Sequence, residues 1–225
     1  MSIPPSTAIR KSTRVVLVDD HTLMREGLRA LLADDPELEV VGEAANGREA
    51  IRLARELAPD VVVMDISMRD LNGIEATREI RSRADAPRVI ALSTFADRRF
   101  VLGMLDAGAS GYVVKTAAAA DLKRAIVAAA ASQCFLSPEI AGVVVAARNE
   151  AAPAHAPRST VGKREREIVQ LVAEGQSSAA IAARMHISPA TVDTHRRNVM
   201  RKLGLHSIAE LTRWAIREGL TSVDG

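Results

Sequence analysis

Apolar residues in the first half of the chain fall into short runs, separated by segments with helical spacing. The run at 61–64 contains three β-branched residues in succession, which favours a strand buried on both faces of a parallel sheet. Similar runs end near residues 18, 92 and 114, and a shorter strand pattern covers 38–42. Between the runs, apolar residues recur at helical spacing. Five strands alternating with five helices predict an α/β fold with a doubly wound, five-stranded parallel sheet of the flavodoxin type.

Polar side chains follow four of these apolar runs directly. Asp19 and Asp20 follow the first, Asp65 the run at 61–64, and Ser93 and Lys115 the last two. In open α/β sheets, ligands bind in the crevice beyond the carboxyl ends of the strands. One aspartate after a strand is usually only a turn former, but four strand ends agree here. The sequence therefore predicts a polar site, with Asp65 at its centre.

These residue types favour metal-assisted phosphate chemistry. The carboxylates of Asp19, Asp20 and Asp65 are hard oxygen donors suited to Mg²⁺. Asp65 could act as a nucleophile and form an aspartyl phosphate. Lys115 would then pair with phosphoryl oxygens, and Ser93 would donate a hydrogen bond to one of them.

The last third of the chain has no strand pattern and predicts four helices, over 164–173, 178–185, 189–203 and 208–218. Ser188 and Pro189 are typical of a helix start. In the third helix, Val192, Val199 and Leu203 fall on one side. The opposite side carries the candidate DNA-contacting residues Ala190, Thr194, Arg197, Asn198 and Arg201, followed by Lys202. Small polar residues with arginines suit a helix in a DNA major groove, although a bundle with a solvated polar face is the plainer interpretation.

Composition and charge also distinguish the first part of the chain from its helical last third. Residues 158–225 hold eleven Lys/Arg against seven Asp/Glu, although the whole chain has a formal charge of only +2. Cys134 is the single cysteine and excludes an intrachain disulfide, so we expect a reducing compartment. His21 fits no metal-ligand spacing with Cys134, so we interpret it as a surface or packing residue. No apolar stretch is long enough to span a bilayer, and we expect a cytoplasmic protein that does not bind membranes.

A segment rich in alanine and proline, at 149–157, follows a predicted helix that starts near Ser137. Such a composition is typical of a linker between domains. We therefore predict one domain at 14–132, a helix and linker at 133–160, and a helical domain at 161–225.

Several strings resemble the receiver domain of bacterial two-component response regulators: Val-Asp-Asp-His at 18–21, Met-Asp-Ile at 64–66, Leu-Ser at 92–93 and Ala-Ser-Gly-Tyr-Val-Val-Lys at 109–115. The resemblance implies that Asp65 accepts a phosphoryl group from a sensor histidine kinase. It also implies that Asp19, Asp20, Asp65 and the backbone carbonyl of Ser67 bind Mg²⁺. Ser93 and Tyr112 match the pair that reorients on phosphorylation. Met68-Arg69 departs from the Met-Pro that is usual in this family, which bears on phosphorylation kinetics.

The string at 187–204, Ile-Ser-Pro-Ala-Thr-Val-Asp-Thr-His-Arg-Arg-Asn-Val-Met-Arg-Lys-Leu-Gly, resembles the helix-turn-helix domain of the NarL/LuxR (FixJ) type. Asp193 replaces a lysine that contacts DNA in many relatives, and Gly162 replaces a Thr or Ser cap. The family's target sequence therefore does not transfer to this chain.

Together these features predict a transcription regulator, not an enzyme, that binds double-stranded DNA and forms a homodimer when phosphorylated. Before phosphorylation, the first domain would lie against the 188–203 helix or would keep the helical domains from pairing. The last helix, with Ile208, Leu211, Trp214 and Ala215, is a candidate dimer surface or ordinary core. Three alternatives remain: a regulator that does not need phosphorylation, a Mg²⁺-dependent phosphohydrolase, and a regulator with a small-molecule sensor domain. The phosphohydrolases usually carry a second aspartate where this chain has Ser67, and the scarcity of aromatic residues argues against the sensor.

Overall fold

The computed structural model describes residues 12–94, 96–116, 119–150 and 161–221, with side chains as far as residue 147 in the segment that ends at 150. We refer to residues 12–150 as the N-terminal region and to residues 161–221 as the C-terminal region. Most of the predicted 149–157 linker lies outside the described residues.

The N-terminal region contains a parallel sheet with the strand order β2-β1-β3-β4-β5-β6. Its strands are β1 (Thr13–Val18), β2 (Leu38–Ala44), β3 (Val61–Asp65), β4 (Arg88–Ser93), β5 (Gly111–Val114) and β6 (Phe135–Leu136). The strand order reverses direction next to β1 and β3, and such a switch point is where doubly wound sheets bind their ligands. The predicted fold class is therefore confirmed.

The prediction of five strands was wrong by one, because β6 adds a sixth. Phe135 pairs with Gly111 and Leu136 with Tyr112. A two-residue strand shows no alternation that a sequence pattern could reveal. The pairing also depends on Gly111, since a Cβ at that position would lie 2.8 Å from the Phe135 carbonyl oxygen.

Six helices flank the sheet: α1 (Thr22–Ala33), α2 (Gly47–Glu56), α3 (Gly73–Arg81), α4 (Arg98–Asp106), α5 (Ala119–Ala130) and α6 (Pro138–Glu150). Alternate residues of β1 enter two separate cores. Val16 and Val18 pack on the side of α2, α3 and α4, whereas Val15 and Leu17 pack on the side of α1 and α5. This division is expected when each strand is buried on both faces.

The helix starts follow the capping residues in the sequence. Asn46, Asn72 and Asp97 each accept a hydrogen bond from a backbone N–H in the first turn of α2, α3 and α4. One apolar residue of α1 is strongly exposed. Leu23 is 82% exposed at the start of α1, and Leu28 and Leu32 supply the buried face.

The C-terminal region contains four helices, α7 (Lys163–Ala173), α8 (Ser178–Met185), α9 (Pro189–Leu203) and α10 (Ile208–Arg217). Ile168, Ile181, Val192 and Leu211 meet in a core of their own. The Ser188 side chain caps α9 by accepting the Thr191 N–H, with 3.1 Å between oxygen and nitrogen. The predicted helix pattern is confirmed here.

The two regions are in contact. Among the described residues, four ion pairs join them: Arg48–Glu167, Glu79–Lys163, Glu75–Arg166 and Asp70–Arg184. At the far end, Arg99 of α4 donates a hydrogen bond to the Arg217 carbonyl at the end of α10, over 3.1 Å. The C-terminal region is therefore docked on α2, α3, α4 and the loop that follows β3. Within the described residues, no helix has the length and apolarity needed to cross a membrane.

Candidate functional site

Three of the predicted site residues meet at the carboxyl edge of the sheet. Val18 of β1 lies beside Met64 of β3, so Asp19 and Asp65 leave the sheet at the same level. Lys115, just after β5, places its Nζ 2.6 Å from Asp19 Oδ2 and 3.1 Å from Asp65 Oδ2. All three side chains are largely buried. The parallel strands thus bring together groups that are far apart in the sequence.

The acidic cluster has the composition of a divalent metal site. Carboxylate oxygens of Asp19, Asp20 and Asp65 and a ring nitrogen of His21 all lie within 4.8 Å of one another. Asp20 Oδ1 is buried and receives no hydrogen bond from the described residues, although His21 Nδ1 lies 2.9 Å away. Three carboxylates around the single ammonium of Lys115 leave excess negative charge, and hard oxygen donors suit a small divalent cation.

Burial and pairing set the protonation of the cluster. Burial raises the pKa of Asp65, and the neighbouring Asp19 adds to this, while Lys115 opposes the rise. Burial acts to lower the pKa of Lys115, but the charges of Asp65 and Asp19 outweigh it and the pKa is raised. Lys115 is consequently held in its charged form against the two carboxylates.

The loop between β3 and α3, residues 66–72, begins by holding the Asp65 side chain, and Gly73 at its end lies against the Asp65 backbone. Ile66 N–H donates to Asp65 Oδ1 over 2.8 Å. A Cβ at Gly73 would lie 2.0 Å from the Asp65 carbonyl oxygen, so only glycine lets α3 start this close to the strand. In the same loop, Ser67 Oγ is buried and has no hydrogen-bond partner among the described residues. Arg69, which stands where proline is usual, is exposed.

Ser93 and Tyr112 lie deeper than the cluster. Both are almost fully buried, and their side chains hydrogen-bond to each other. Burial raises the pKa of Tyr112 to about 12, although the bond to Ser93 acts in the opposite direction. The two predicted switch residues are therefore adjacent, but neither lies on the wall of the cavity above Asp65.

A cavity of about 490 Å³ opens above Asp65, and both regions line it. The N-terminal region contributes Asp20, Asp65 and Lys115. The C-terminal region contributes Glu174, Gln176, Gly219, Leu220 and Thr221. Any group attached to Asp65 would consequently enter a space that the C-terminal region partly covers.

Gln170 of α7 is the centre of the contact with the loop at 66–72, and it is 1% exposed. Its Oε1 accepts from Asn72 N and Asn72 Nδ2, at 3.2 and 3.0 Å. Its Nε2 donates to the Met68 carbonyl over 3.3 Å and to Glu174 over 2.7 Å. Asn72 also donates to the Leu220 carbonyl over 2.9 Å. These contacts tie the loop that follows Asp65 to α7 and to the segment after α10.

The α9 helix presents the predicted polar face to solvent. Val192 and Val199 are buried and Leu203 is half-buried. Of the six candidate DNA-contacting residues, Asn198 is half-buried. The other five are exposed: Ala190, Thr194, Arg197, Arg201 and Lys202. The hydrogen bonds and ion pairs between the two regions involve α7, α8 and α10 and leave these six side chains out.

Two charged residues of α9 have partners within the C-terminal region. Lys202 Nζ lies 2.7 and 2.8 Å from the two carboxylate oxygens of Glu165. Asp193, the substitution for a family lysine, accepts from Ser178 over 2.8 Å and lies 3.0 Å from Arg196. Asp193 therefore joins α8 to α9.

Most of the candidate dimer surface on α10 is core. Leu211, Trp214 and Ala215 are buried among the apolar residues of the C-terminal region, and Ile208 is 44% exposed. The structure therefore supports the interpretation of Leu211, Trp214 and Ala215 as ordinary core residues.

Sequence reasoning missed two features. His21 is a surface residue as predicted, with a side chain that is 73% exposed, but the prediction missed that its ring lies against Asp19 and Asp20, for which its position next to Asp20 was the available signal. Gln170, Glu174 and Asn72 gave no signal, because their partners are far away in the sequence.

Comparison with known proteins assigns both regions. Residues 15–127 match the response regulator receiver domain, and residues 159–215 match the bacterial regulatory proteins of the LuxR family. The chain is 38% identical to the transcriptional regulatory protein LiaR of Bacillus subtilis, over 93% of this chain and 99% of LiaR. It is also 38% identical to the response regulator GacA of Pseudomonas viridiflava, over 92% of this chain and 97% of GacA.

Among solved structures, the chain is similar to the response regulator ChrA of a heme-sensing two-component system. The TM-score is 0.52 at 34% identity, and the match covers 93% of this chain and 98% of ChrA. The chain therefore belongs to the NarL/LuxR type of two-component response regulators, transcription regulators that join a receiver domain to a DNA-binding helix-turn-helix domain.

Proposed function

We propose that Asp65 accepts a phosphoryl group from a sensor histidine kinase and that this modification controls DNA binding by the C-terminal region. One observation carries the proposal. Lys115 Nζ contacts both Asp19 and Asp65, and Asp65 and Lys115 line one open cavity together with Asp20, so a candidate nucleophile, a cation and candidate metal-binding carboxylates adjoin one space. We propose domain boundaries at 14–132 and 161–225, with the helix and linker at 133–160.

Each residue of the cluster has a role in this chemistry. An Asp65 carboxylate oxygen attacks the phosphorus, and the bond from phosphorus to the donor's histidine nitrogen breaks. Lys115 exchanges part of its contact with Asp65 for a phosphoryl oxygen, and Ser93 donates a hydrogen bond once it turns towards the site. Tyr112 would move with Ser93, because the two side chains are hydrogen-bonded.

A magnesium ion fits the same cluster. Asp19, Asp20 and Asp65 would hold it together with the Ser67 carbonyl, which accepts no hydrogen bond from the described residues. When bound, the ion neutralises charge on the phosphoryl oxygens during transfer. The Asp20 oxygen without a hydrogen bond supports this assignment.

We propose that α9 enters the major groove of double-stranded DNA. Ala190, Thr194, Arg197 and Asn198 lie nearer its N-terminus and would meet base edges. Arg201 and Lys202 would contact the phosphate backbone, and Lys202 would first have to leave Glu165. Contact with DNA would require a cytoplasmic location.

We call the arrangement in which the two regions are docked on each other the closed form. This form favours a mechanism in which the N-terminal region controls pairing of the C-terminal regions, rather than one in which it covers α9. The candidate DNA-contacting side chains stay accessible while α7 and the end of α10 are docked. We propose that phosphorylation releases the C-terminal region, which then forms a homodimer on DNA. A ligand or modification can shift such an equilibrium only through different interactions with its two states.

The chain is proposed to act as a regulator and not as an enzyme that turns over phosphate esters. Ser67 occupies the position where the rival phosphohydrolases carry a second aspartate, and a hydroxyl is a poor general acid at neutral pH.

The direct test is intact-mass analysis after incubation with acetyl phosphate and Mg²⁺. The parent chain should gain one phosphoryl group, and an Asp65→Asn variant should gain none. DNA affinity measured on the same samples should rise only in the parent. Equal affinity before and after phosphorylation would contradict the switch and support a regulator that does not need phosphorylation.

A further inference from the structure

Glu174, the residue that follows α7, lies where it can respond to charge on Asp65. It is the one carboxylate among the C-terminal residues that line the cavity above Asp65. The cavity therefore has a carboxylate on each side before any phosphoryl group is added. This inference rests on the proposed phosphorylation of Asp65.

Neutral groups hold the Glu174 carboxylate in place. Gln170 Nε2 donates to it over 2.7 Å, and the Asp70 backbone N–H donates as well. Among the described residues, no Lys or Arg nitrogen lies within 4.0 Å of it. The positive charge of Arg184 acts on it, but Arg184 forms its ion pair with Asp70.

Burial raises the pKa of Glu174, and the neighbouring Asp70 adds to this effect, whereas the hydrogen bond from Gln170 and the charge of Arg184 oppose it. A raised carboxyl pKa means that ionisation of Glu174 is less favourable in this buried position than it is in water. Ionisation of Glu174 in this position therefore costs free energy. Additional negative charge nearby would increase that cost.

The position of Glu174 is coupled to the loop that follows Asp65. Gln170 contacts Glu174 through Nε2 and Asn72 through Oε1, and Asp70 belongs to the same loop. Displacing Glu174 would take an acceptor from Gln170 and from Asp70 N–H together. Buried amide groups that lose their partners disfavour the state that contains them.

We propose that Glu174 is the residue through which phosphoryl charge on Asp65 opens the contact between the two regions. The phosphoryl group adds negative charge to a cavity that Glu174 borders, and repulsion moves this side chain away from Gln170 and Asp70. The loop at 66–72 then loses its hydrogen bonds to α7 and to the residue that follows it. Glu174 is a positioning residue and takes no part in phosphoryl transfer.

A Glu174→Gln variant of the full chain tests this proposal, because glutamine keeps the shape and one acceptor oxygen but removes the charge. Spin labels on Cys134 and on an Ala183→Cys substitution, both exposed, would report the fraction of open molecules. All samples are measured at one pH, about 8, which lies well above the ordinary pKa of a glutamate. Each sample is measured before and after acetyl phosphate with Mg²⁺, and intact mass gives its phosphorylated fraction.

In the parent chain, phosphorylation should raise the open-to-closed ratio, and Glu174→Gln should reduce this increase by about fivefold or more while phosphorylation proceeds normally. Glu167→Gln is the matched control. Its ion pair with Arg48 lies outside the cavity lining, so it should raise the open fraction in both forms and leave the increase unchanged.

Glu174→Lys provides an independent second variant. A lysine at this position attracts the phosphoryl group, so phosphorylation should then favour the closed form and reverse the sign of the effect. The sign does not depend on how stable the variant is before phosphorylation.

An unchanged increase in Glu174→Gln, in a chain that intact mass shows to be phosphorylated, would overturn the role of Glu174 alone. If the parent gains no phosphoryl group, both this inference and the proposed function fail.

Discussion

The carboxylate cluster and the exposed face of α9 both present charged side chains, but the chain builds them differently. Asp19, Asp65 and Lys115 come from three separate strand ends, are buried, and hold one another within about 3 Å. Arg197 and Arg201 come from successive turns of one helix and lie in solvent. Changes in the cluster should therefore affect stability and chemistry together, whereas changes on the α9 face should affect binding alone.

The largest effect is expected from Lys115→Met, which leaves two buried carboxylates without their cation. Removing one partner of a buried ion pair costs about 3 to 5 kcal/mol. Chemical denaturation without metal should show a loss of this size, and Mg²⁺ should restore more stability to the variant than to the parent. The matched control is Lys123→Met, since Lys123 lies 3.9 Å from Asp35 in a more exposed pair. A similar loss in both variants would contradict the cluster's special role.

Gly73→Ala should be next in size, because its Cβ would lie 2.0 Å from the Asp65 carbonyl oxygen. Overpacking of this kind costs about 1 to 3 kcal/mol, and the shift should also slow phosphorylation by acetyl phosphate. Gly142→Ala in α6 is the control, since its Cβ would meet nothing within 4 Å. That change should be neutral or slightly stabilising in the same denaturation experiment.

On the α9 face, Arg197→Ala should weaken DNA binding about tenfold and leave the free energy of unfolding unchanged within about 0.5 kcal/mol. Arg213→Ala removes the same charge from an exposed position on α10 and controls for the general loss of positive charge. Fluorescence anisotropy with a promoter fragment would measure both. Equal losses of affinity would argue against α9 as the helix that contacts DNA.

The smallest effect is expected at the start of α9. Ser188→Ala removes the acceptor for the Thr191 N–H and should lower the free energy of unfolding by about 1 kcal/mol. Thr194→Ala, in the exposed interior of the same helix, should instead be neutral or slightly stabilising because alanine is the better helix former. Thermal unfolding of the two variants side by side would reveal the difference in sign.

Local patterns explain how much could be predicted. The cluster followed from apolar runs that each end in a polar residue, since parallel strands bring their carboxyl ends to one edge. The α9 face followed from helical periodicity. By contrast, β6 has only two residues and gives no pattern. Asn72 gives no sign of its partners in the sequence, since its bonds to Gln170 and Leu220 join residues 98 and 148 positions apart.

The contact between the regions could not be predicted because both of its sides look ordinary in the sequence. Gln170 occupies a position in α7 that a helical pattern treats as neutral, and it is 1% exposed where it bonds to the loop after Asp65. The pairing of Lys202 with Glu165, 37 positions earlier, likewise has no signal in the sequence, and the contact of Lys202 with DNA stays a prediction. Pairings of this kind depend on tertiary structure.

The four ion pairs between the regions make the closed form sensitive to ionic strength. Salt screens exposed charges more than buried ones, with a Debye length of about 8 Å in physiological salt, so added salt weakens the more exposed pairs, such as Glu79–Lys163. Salt also weakens DNA binding, because DNA retains its counterions more readily. In the intact chain the two effects oppose each other, and its DNA affinity should fall less steeply with salt than that of residues 161–225 alone.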